Sequence, residues 1–427
     1  MHRIELSDRW VERQLIERLP RNERVKASLK NLLKSYSTIA ELIPAFIAPS
    51  VLQLTASTAL MARAVRRGIK EEKTLFQHSK ILESRGLGST AKNLEGIIDR
   101  LPDFQAFIYA TDEFYRDHIE HQIRVAVLGD FLLSQHFEYD GERIKLVDRI
   151  CSATDIAEED VSKAWWIASL FHDTGIPVAK LSKNLNDFMG DLAKVYEKVN
   201  LGLSHVDCPI PNEDENRLMF KALSKGLSKP TVTKLRAALG WDGTSRIDHG
   251  AISALLLLRS IPKLASLGYD ELVDQLEHDF KPYLMAAQAI VFHNLYQDAN
   301  RIEIDSKDNP LAYLLVCCDE MQEWNRDVSI KVRSVFDPKF GTTGLMDHCF
   351  VELSSDSIEL LAEFENQEAK DNCGFVFDYY VAEKKLDLHR LKNTQQIFPK
   401  IRLRYIDHVF HEHKLVRRVE EKISTDA

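Results

Sequence analysis

A chain of 427 residues with 44% hydrophobic and 28% charged side chains is long enough for two or three domains and has the balance of an ordinary globular protein. Its formal charge of -9 argues against a protein built mainly around a nucleic-acid backbone. Six cysteines without CxxC spacing indicate neither a zinc finger nor a disulfide framework, and the start at Met1 lacks an apolar signal region, so the cytoplasm is the expected compartment.

Residues 1–100 are expected to form an N-terminal helical extension. Trp10, Val11, Leu15, Ile16 and Leu19 fall on one side of a helix, and residues 25–36 continue the pattern. Residues 42–62 carry no charged side chain and precede Arg63, Arg66 and Arg67, as a membrane span with a basic flank would. Pro44, Pro49 and the polar Ser50, Gln53, Thr55, Ser57 and Thr58 favour a buried or interfacial helix pair instead, so no membrane span is expected.

Residues 101–136 read as a long helix that is polar at first and apolar after His121. Val125, Leu128 and Leu132 follow His121 at helical spacing, which puts His121 on the core-facing stripe. Another helix is expected over 142–152, and the acidic run 154–160 reads as the N-terminal cap of the next. That helix runs through Trp165-Trp166-Ile167-Ala168-Ser169-Leu170-Phe171 into His172-Asp173 and breaks at Gly175-Ile176-Pro177. A carboxylate beside an imidazole at the end of an apolar helix is costly to bury by several kcal/mol unless something such as a divalent cation pairs with it.

Residues 178–247 read as a helical insertion able to form a wall or lid, with amphipathic pieces at 212–223 and 231–239. Three apolar helices then deliver one ligand-type side chain each. His249 opens the first, His293 closes an alanine-rich second, and Asp319 follows the apolar run 311–318 in the third. Residues 336–427 change character into a small α+β unit, with strands expected at 349–353, 375–380 and 401–405 and a helix near 357–370. His408, His411 and His413 there are read as a solvated helix face.

In chain order the candidates are His121, His172-Asp173, His249, His293 and Asp319. Nitrogen and carboxylate ligands of this kind suit divalent Fe, Mn, Zn or Co, and Asp173 is placed to bridge two ions. This ordered set, over residues 115–326, resembles the HD superfamily of metal-dependent phosphohydrolases. The likeness rests on His-Gln-Ile-Arg-Val at His121, Leu-Phe-His-Asp-Thr-Gly, Asp-His-Gly-Ala-Ile-Ser-Ala, Phe-His-Asn and Cys-Asp-Glu-Met-Gln-Glu-Trp. It implies a mainly α protein: an HD core over 101–335 between the N-terminal helical extension and the small C-terminal α+β appendage. It also implies that His121, His172, Asp173 and Asp319 hold one metal, and that His249 and His293 hold a second with Asp173 shared.

Such a binuclear, phosphodiesterase-like site points away from the nucleoside-triphosphatase branch, whose Gly-His-Pro segment after His-Asp is absent. Relatives often carry Lys or His shortly after His-Asp-x-Gly, but here Ile176-Pro177 stands there and Lys180 is the next base, a substitute candidate for catalysis. Thr174, Asn294 and Arg326 are candidates to touch phosphate or water. The expected activity is metal-dependent hydrolysis of a phosphate ester of a nucleotide or cyclic nucleotide, with two divalent ions from among Mn, Fe, Co, Zn and Mg as cofactors. A di-iron oxygenase and a catalytically silent nucleotide sensor are the alternatives. The expected partner is a phosphorylated small molecule rather than an extended nucleic acid, and a homo-oligomer is left open.

Overall fold

The computed structural model describes residues 2–18, 118–176, 220–225, 227–238, 249–259, 281–294, 296–297, 300–322, 324, 346–367, 377–411 and 414–425. The expected helix at 25–36, the segment 42–62, residues 101–117, most of the insertion, and Lys180, Arg326 and His413 lie outside them. No described helix is long and apolar enough to cross a membrane.

The helical part is built from segments whose ends are written in the sequence. Helix α1 (Asp8–Arg18) is followed among the described elements by α2 (His118–Leu133), which is buried at every position from His121 to Leu133. A helix buried all round must be enclosed by neighbours. Here α1 lies on one side, where Asp8 accepts from Arg124 at 2.8 and 3.2 Å and Trp10 meets Phe131 edge to face. The expected helix over 142–152 starts later than its sequence suggested. His136–Tyr139 (β2) and Glu142–Lys145 (β3) form a hairpin, turned by Asp140 and Gly141 at positive φ, before α3 (Leu146–Thr154). Helix α4 (Glu158–Phe171) has the foreseen acidic first turn of Glu158, Glu159 and Asp160.

Helix α4 crosses α2 where Gly129 lies under Trp165. A Cβ at Gly129 would lie 1.9 Å from the Trp165 ring, whose Nε1–H donates to the Ala126 carbonyl. Gly129→Ala is therefore expected to cost about 1–3 kcal/mol or more through overpacking, read by denaturant unfolding, while leaving metal uptake intact.

Further along lie α5 (Lys229–Ala238), α6 (His249–Arg259) and α7 (Lys281–Asn294), with α6 against α7 and α7 against α4. Short strands β4 (Tyr296–Gln297), β5 (Asn300–Arg301) and β6 (Ile304–Asp305) lead to α8 (Pro310–Met321). Asn309 caps α8 by accepting from the Ala312 amide at 3.1 Å, and Pro310 occupies the first turn, where its missing N–H is harmless.

The expectation of a mainly α protein is corrected by the sheet. Helix accounts for 55% and strand for 27% of the described residues, which makes the protein α+β. Strands β1 (His2–Glu5), β7 (Met346–Leu353), β8 (Ser357–Gln367), β10 (Lys400–His411) and β11 (Lys414–Ser424) form a five-stranded sheet in the order β1-β7-β8-β10-β11. All neighbours are antiparallel except β8 and β10. A parallel pair needs a crossover, and α9 (Phe377–His389) lies in it, followed by β9 (Leu391–Lys392) beside β6.

Two local expectations fail here for physical reasons. The stretch read as a helix near 357–370 contains β8, an interior strand. Burial of Ile358, Leu360, Leu361, Ala362 and Phe364 blurs its two-residue alternation and hides it behind helix-forming Leu, Ala and Glu. The strand expected at 375–380 lies where α9 begins, its aromatic residues having suggested strand. His408 and His411 lie on β10 rather than on a helix, opposite Arg418 and Lys414. Strand β1 comes from the segment expected to be wholly helical and pairs with β7, Ile4 against Val351.

Candidate metal centre

Helices α2, α4, α6, α7 and α8 each bring one or two of the expected side chains to a common point. His121 comes from the first turn of α2, and His172 and Asp173 from the turn that ends α4. His249 is the first residue of α6, His293 lies in the last turn of α7 and Asp319 in the last turn of α8. The imidazoles stand in a row, His121–His172–His293–His249, with successive ring centroids 5.3, 5.1 and 5.3 Å apart and all tilted edge to face.

Asp173 divides that row in two. Its Oδ2 lies 3.9 Å from His121 Nε2 and 3.5 Å from His172 Nε2, while Oδ1 lies 3.4 Å from His249 Nε2 and 3.6 Å from His293 Nε2. Two atoms bound to one ion at ~2.1 Å and a tetrahedral angle lie roughly 3.4 Å apart, so this spacing leaves room for shared coordination. Asp319 joins the first pair, its Oδ1 2.8 Å from His121 Nε2. The groups His121-His172-Asp319 and His172-Asp173-His293 could each hold a metal ion.

The far side of each ring decides what the near side can be. His172 Nδ1–H donates to the Ser169 carbonyl at 2.8 Å, and His293 Nδ1–H donates to the Ile290 carbonyl. His121 Nδ1 pairs with Gln322 Oε1, an amide whose Nε2 donates to the Trp324 carbonyl at 2.8 Å, so the oxygen faces the ring. Once Nδ1 carries the proton, a neutral imidazole has a bare lone pair on Nε2. At His172, which burial keeps neutral, such a lone pair faces Asp173 Oδ2, acceptor against acceptor, and Nε2 makes no hydrogen bond. A cation between them turns this repulsion into coordination, so these side chains fit divalent metal.

Protonation does not supply that positive charge at His172. Burial pushes its pKa down to about 4 against the opposing pull of Asp173. For Asp319, burial would raise the carboxyl, but the His121 contact and the nearby rings hold it well below the usual carboxylate range. It is anionic and ready to bind. His121 and His172 are fully buried and Asp173 nearly so, whereas the His249 and Asp319 side chains are 21% and 24% exposed, so solvent reaches the cluster at His249 and at Asp319.

The remaining expected residues take other places. Asn294 Nδ2 lies 3.0 Å from His249 Nδ1. The amide N–H donates to that ring nitrogen, so Asn294 orients His249. The Thr174 hydroxyl is buried and donates to the Phe171 carbonyl at 2.9 Å, closing the turn that presents His172 and Asp173. Sequence reasoning missed Gln322, three residues beyond Asp319, and the seam between Gly175 and α6. In that seam Gly175 N–H donates to Ser253 Oγ at 2.7 Å, and a Cβ on Gly175 would lie 2.3 Å from the His249 carbonyl oxygen.

No family model, curated protein or solved structure matches the chain.

Proposed function

We propose that the protein is a metal-dependent phosphohydrolase of the HD type, cleaving a phosphate ester of a nucleotide or cyclic nucleotide at a two-ion site. The observation that carries this reading is the split of Asp173, one oxygen toward His121 and His172 and the other toward His249 and His293. Bound divalent ions would supply positive charge for phosphoryl oxygens and acidify a water to give hydroxide near neutral pH. The chain's own contribution is to hold neutral imidazoles and only two carboxylates around the ions, which leaves the centre net positive toward an anionic ester. Hydrogen bonds from His121, His172 and His293 to Gln322 Oε1 and the Ser169 and Ile290 carbonyls, and one from Asn294 to His249, orient the rings. The exposed edges at His249 and Asp319 give a substrate a way in. Among the described residues Cys151, Cys317, Cys318 and Cys349 are free thiols, in accord with a reducing, cytoplasmic setting.

The test is elemental analysis of protein purified without chelator, followed by assays with Mn²⁺, Co²⁺, Zn²⁺, Mg²⁺ and Fe²⁺ on an aryl phosphodiester, cyclic nucleotides and nucleotide phosphates. Two bound ions and hydrolysis lost in His172→Ala are expected. Bound iron with substrate-dependent oxygen uptake would move the site to the oxygenase class. Tight nucleotide binding without turnover, unchanged in His172→Ala, would make the protein a sensor.

A further inference from the structure

The C-terminal α+β unit contributes no candidate ligand, yet one of its segments reaches the ends of two helices that do. Lys384 on α9 places Nζ 2.8 Å from Glu320 Oε2 and 3.4 Å from the Glu320 carbonyl oxygen. Glu320 follows Asp319, and its carbonyl is among the last four of α8, which lack partners within the helix. Six residues after Lys384, Arg390 donates from Nη2 to the Phe292 carbonyl. Phe292 precedes His293 in the last turn of α7, again among carbonyls without a helical partner. Lys384 is 8% and Arg390 3% exposed, so both cations are inside the protein. The Arg390 backbone is itself anchored, its carbonyl accepting from Ile304 N–H at 2.8 Å beside the β6–β9 pair.

We propose that Lys384 and Arg390 are positioning residues, cationic C-terminal caps through which the α9–β9 segment sets the aim of Asp319 and His293. The inference rests on the two-ion reading of the cluster. Helix ends fray first, and a ligand held on a last turn is only as well placed as that turn. A cation on the terminal carbonyls opposes the negative end of the helix and ties the turn to a neighbouring element. The α8 end carries Gln322 as well as Asp319, so Lys384 steadies both the Asp319 carboxylate and the partner of His121. Arg390 acts on His293 and, through Asn294 in the same turn, on His249. Each cap thus serves a different ion, Lys384 the one at Asp173 Oδ2 and Arg390 the one at Oδ1.

The experiment titrates Mn²⁺ into chelator-stripped full-length protein by calorimetry, with the sites assigned through Asp319→Ala and His249→Ala and metal-free melts run in parallel. Lys384→Met is expected to weaken the Asp319 site by about 10–100-fold and leave the other within about threefold, and Arg390→Met to do the reverse. Lys384→Arg and Arg390→Lys, which keep the charge, are expected to recover part of the loss, and they stand in if a methionine variant does not fold. A purely structural role would lower the melting temperature of the metal-free protein and leave both affinities where they were. Wild-type protein that binds Mn²⁺ while the variants match it, or lose both sites equally, overturns the positioning role only. Wild-type protein that takes up no Mn²⁺ overturns the two-ion reading itself.

Discussion

Asp173→Asn is expected to reduce the metal content of chelator-free protein to below one ion per chain and to lower phosphodiester hydrolysis by more than about a hundredfold. Loss of an outer partner of a metal ligand already costs about 10–100-fold in affinity or activity, and Asp173 is shared between both groups of imidazoles. An amide is nearly isosteric but neutral, and it cannot offer an anionic oxygen to each side. The sign of the stability effect separates this from ordinary damage. In chelator the variant is expected to melt no lower than wild type, because a buried carboxylate facing the neutral His172 ring is a cost that asparagine removes. With metal added, wild type gains stability by mass action, about 2.7 kcal/mol at a hundred times Kd, and the variant does not. Melting curves with and without chelator, beside elemental analysis, give both readings. Retained metal, or a melting loss as large in chelator as with metal, would make Asp173 a structural hydrogen-bonding residue.

Gly175→Ala is expected to remove one ion and spare the other. The new methyl would lie 2.3 Å from the His249 carbonyl oxygen and 2.9 Å from both Ser253 N and Ile252 Cβ. Two of these are backbone atoms, which cannot swing aside as a side-chain end can. Helix α6 must retreat, and His249, 3.4 Å from Asp173 Oδ1, goes with it. Overpacking of this kind costs about 1–3 kcal/mol, occasionally more. The distinguishing measurement is metal stoichiometry, which is expected to fall from two ions to one, with the ion at His121, His172 and Asp319 retained. Gly129→Ala is the control, since its clash is with the Trp165 ring and should lower stability without touching stoichiometry. Two ions bound at unchanged affinity in Gly175→Ala would show that α6 has room to move without carrying His249 off its ion.

The six side chains of the centre were legible because each breaks a local pattern that the rest of its helix keeps. His121 sits on an apolar stripe, His172-Asp173 ends a tryptophan-rich helix, and Asp319 follows a long apolar run. A polar group in such a place needs a partner, and that inference requires no knowledge of where the chain goes next. Gln322, Ser253, Lys384 and Arg390 carry no such mark. Their significance lies in a carbonyl or ring far away in the chain, as Gln322 lies 201 residues from the histidine it orients.

Strands β7 and β10 contain the expected 349–353 and 401–405, whereas β1 and β8 escaped for a related reason. Strand β8 runs between β7 and β10 with Leu361 buried beside Leu360 and Ala362, so its alternation is blurred, and β1 is a four-residue segment that becomes a strand by pairing with β7, well over 300 positions on. Helical periodicity, capping and the chemistry of each candidate ligand are local properties, and the order of residues is enough to specify them. Which helix ends meet, which oxygen of Asp173 faces which ring, and that the protein is α+β rather than mainly α depend on contacts between distant segments. Those contacts are selected by packing and burial of the whole chain at once, and no short window of sequence contains them.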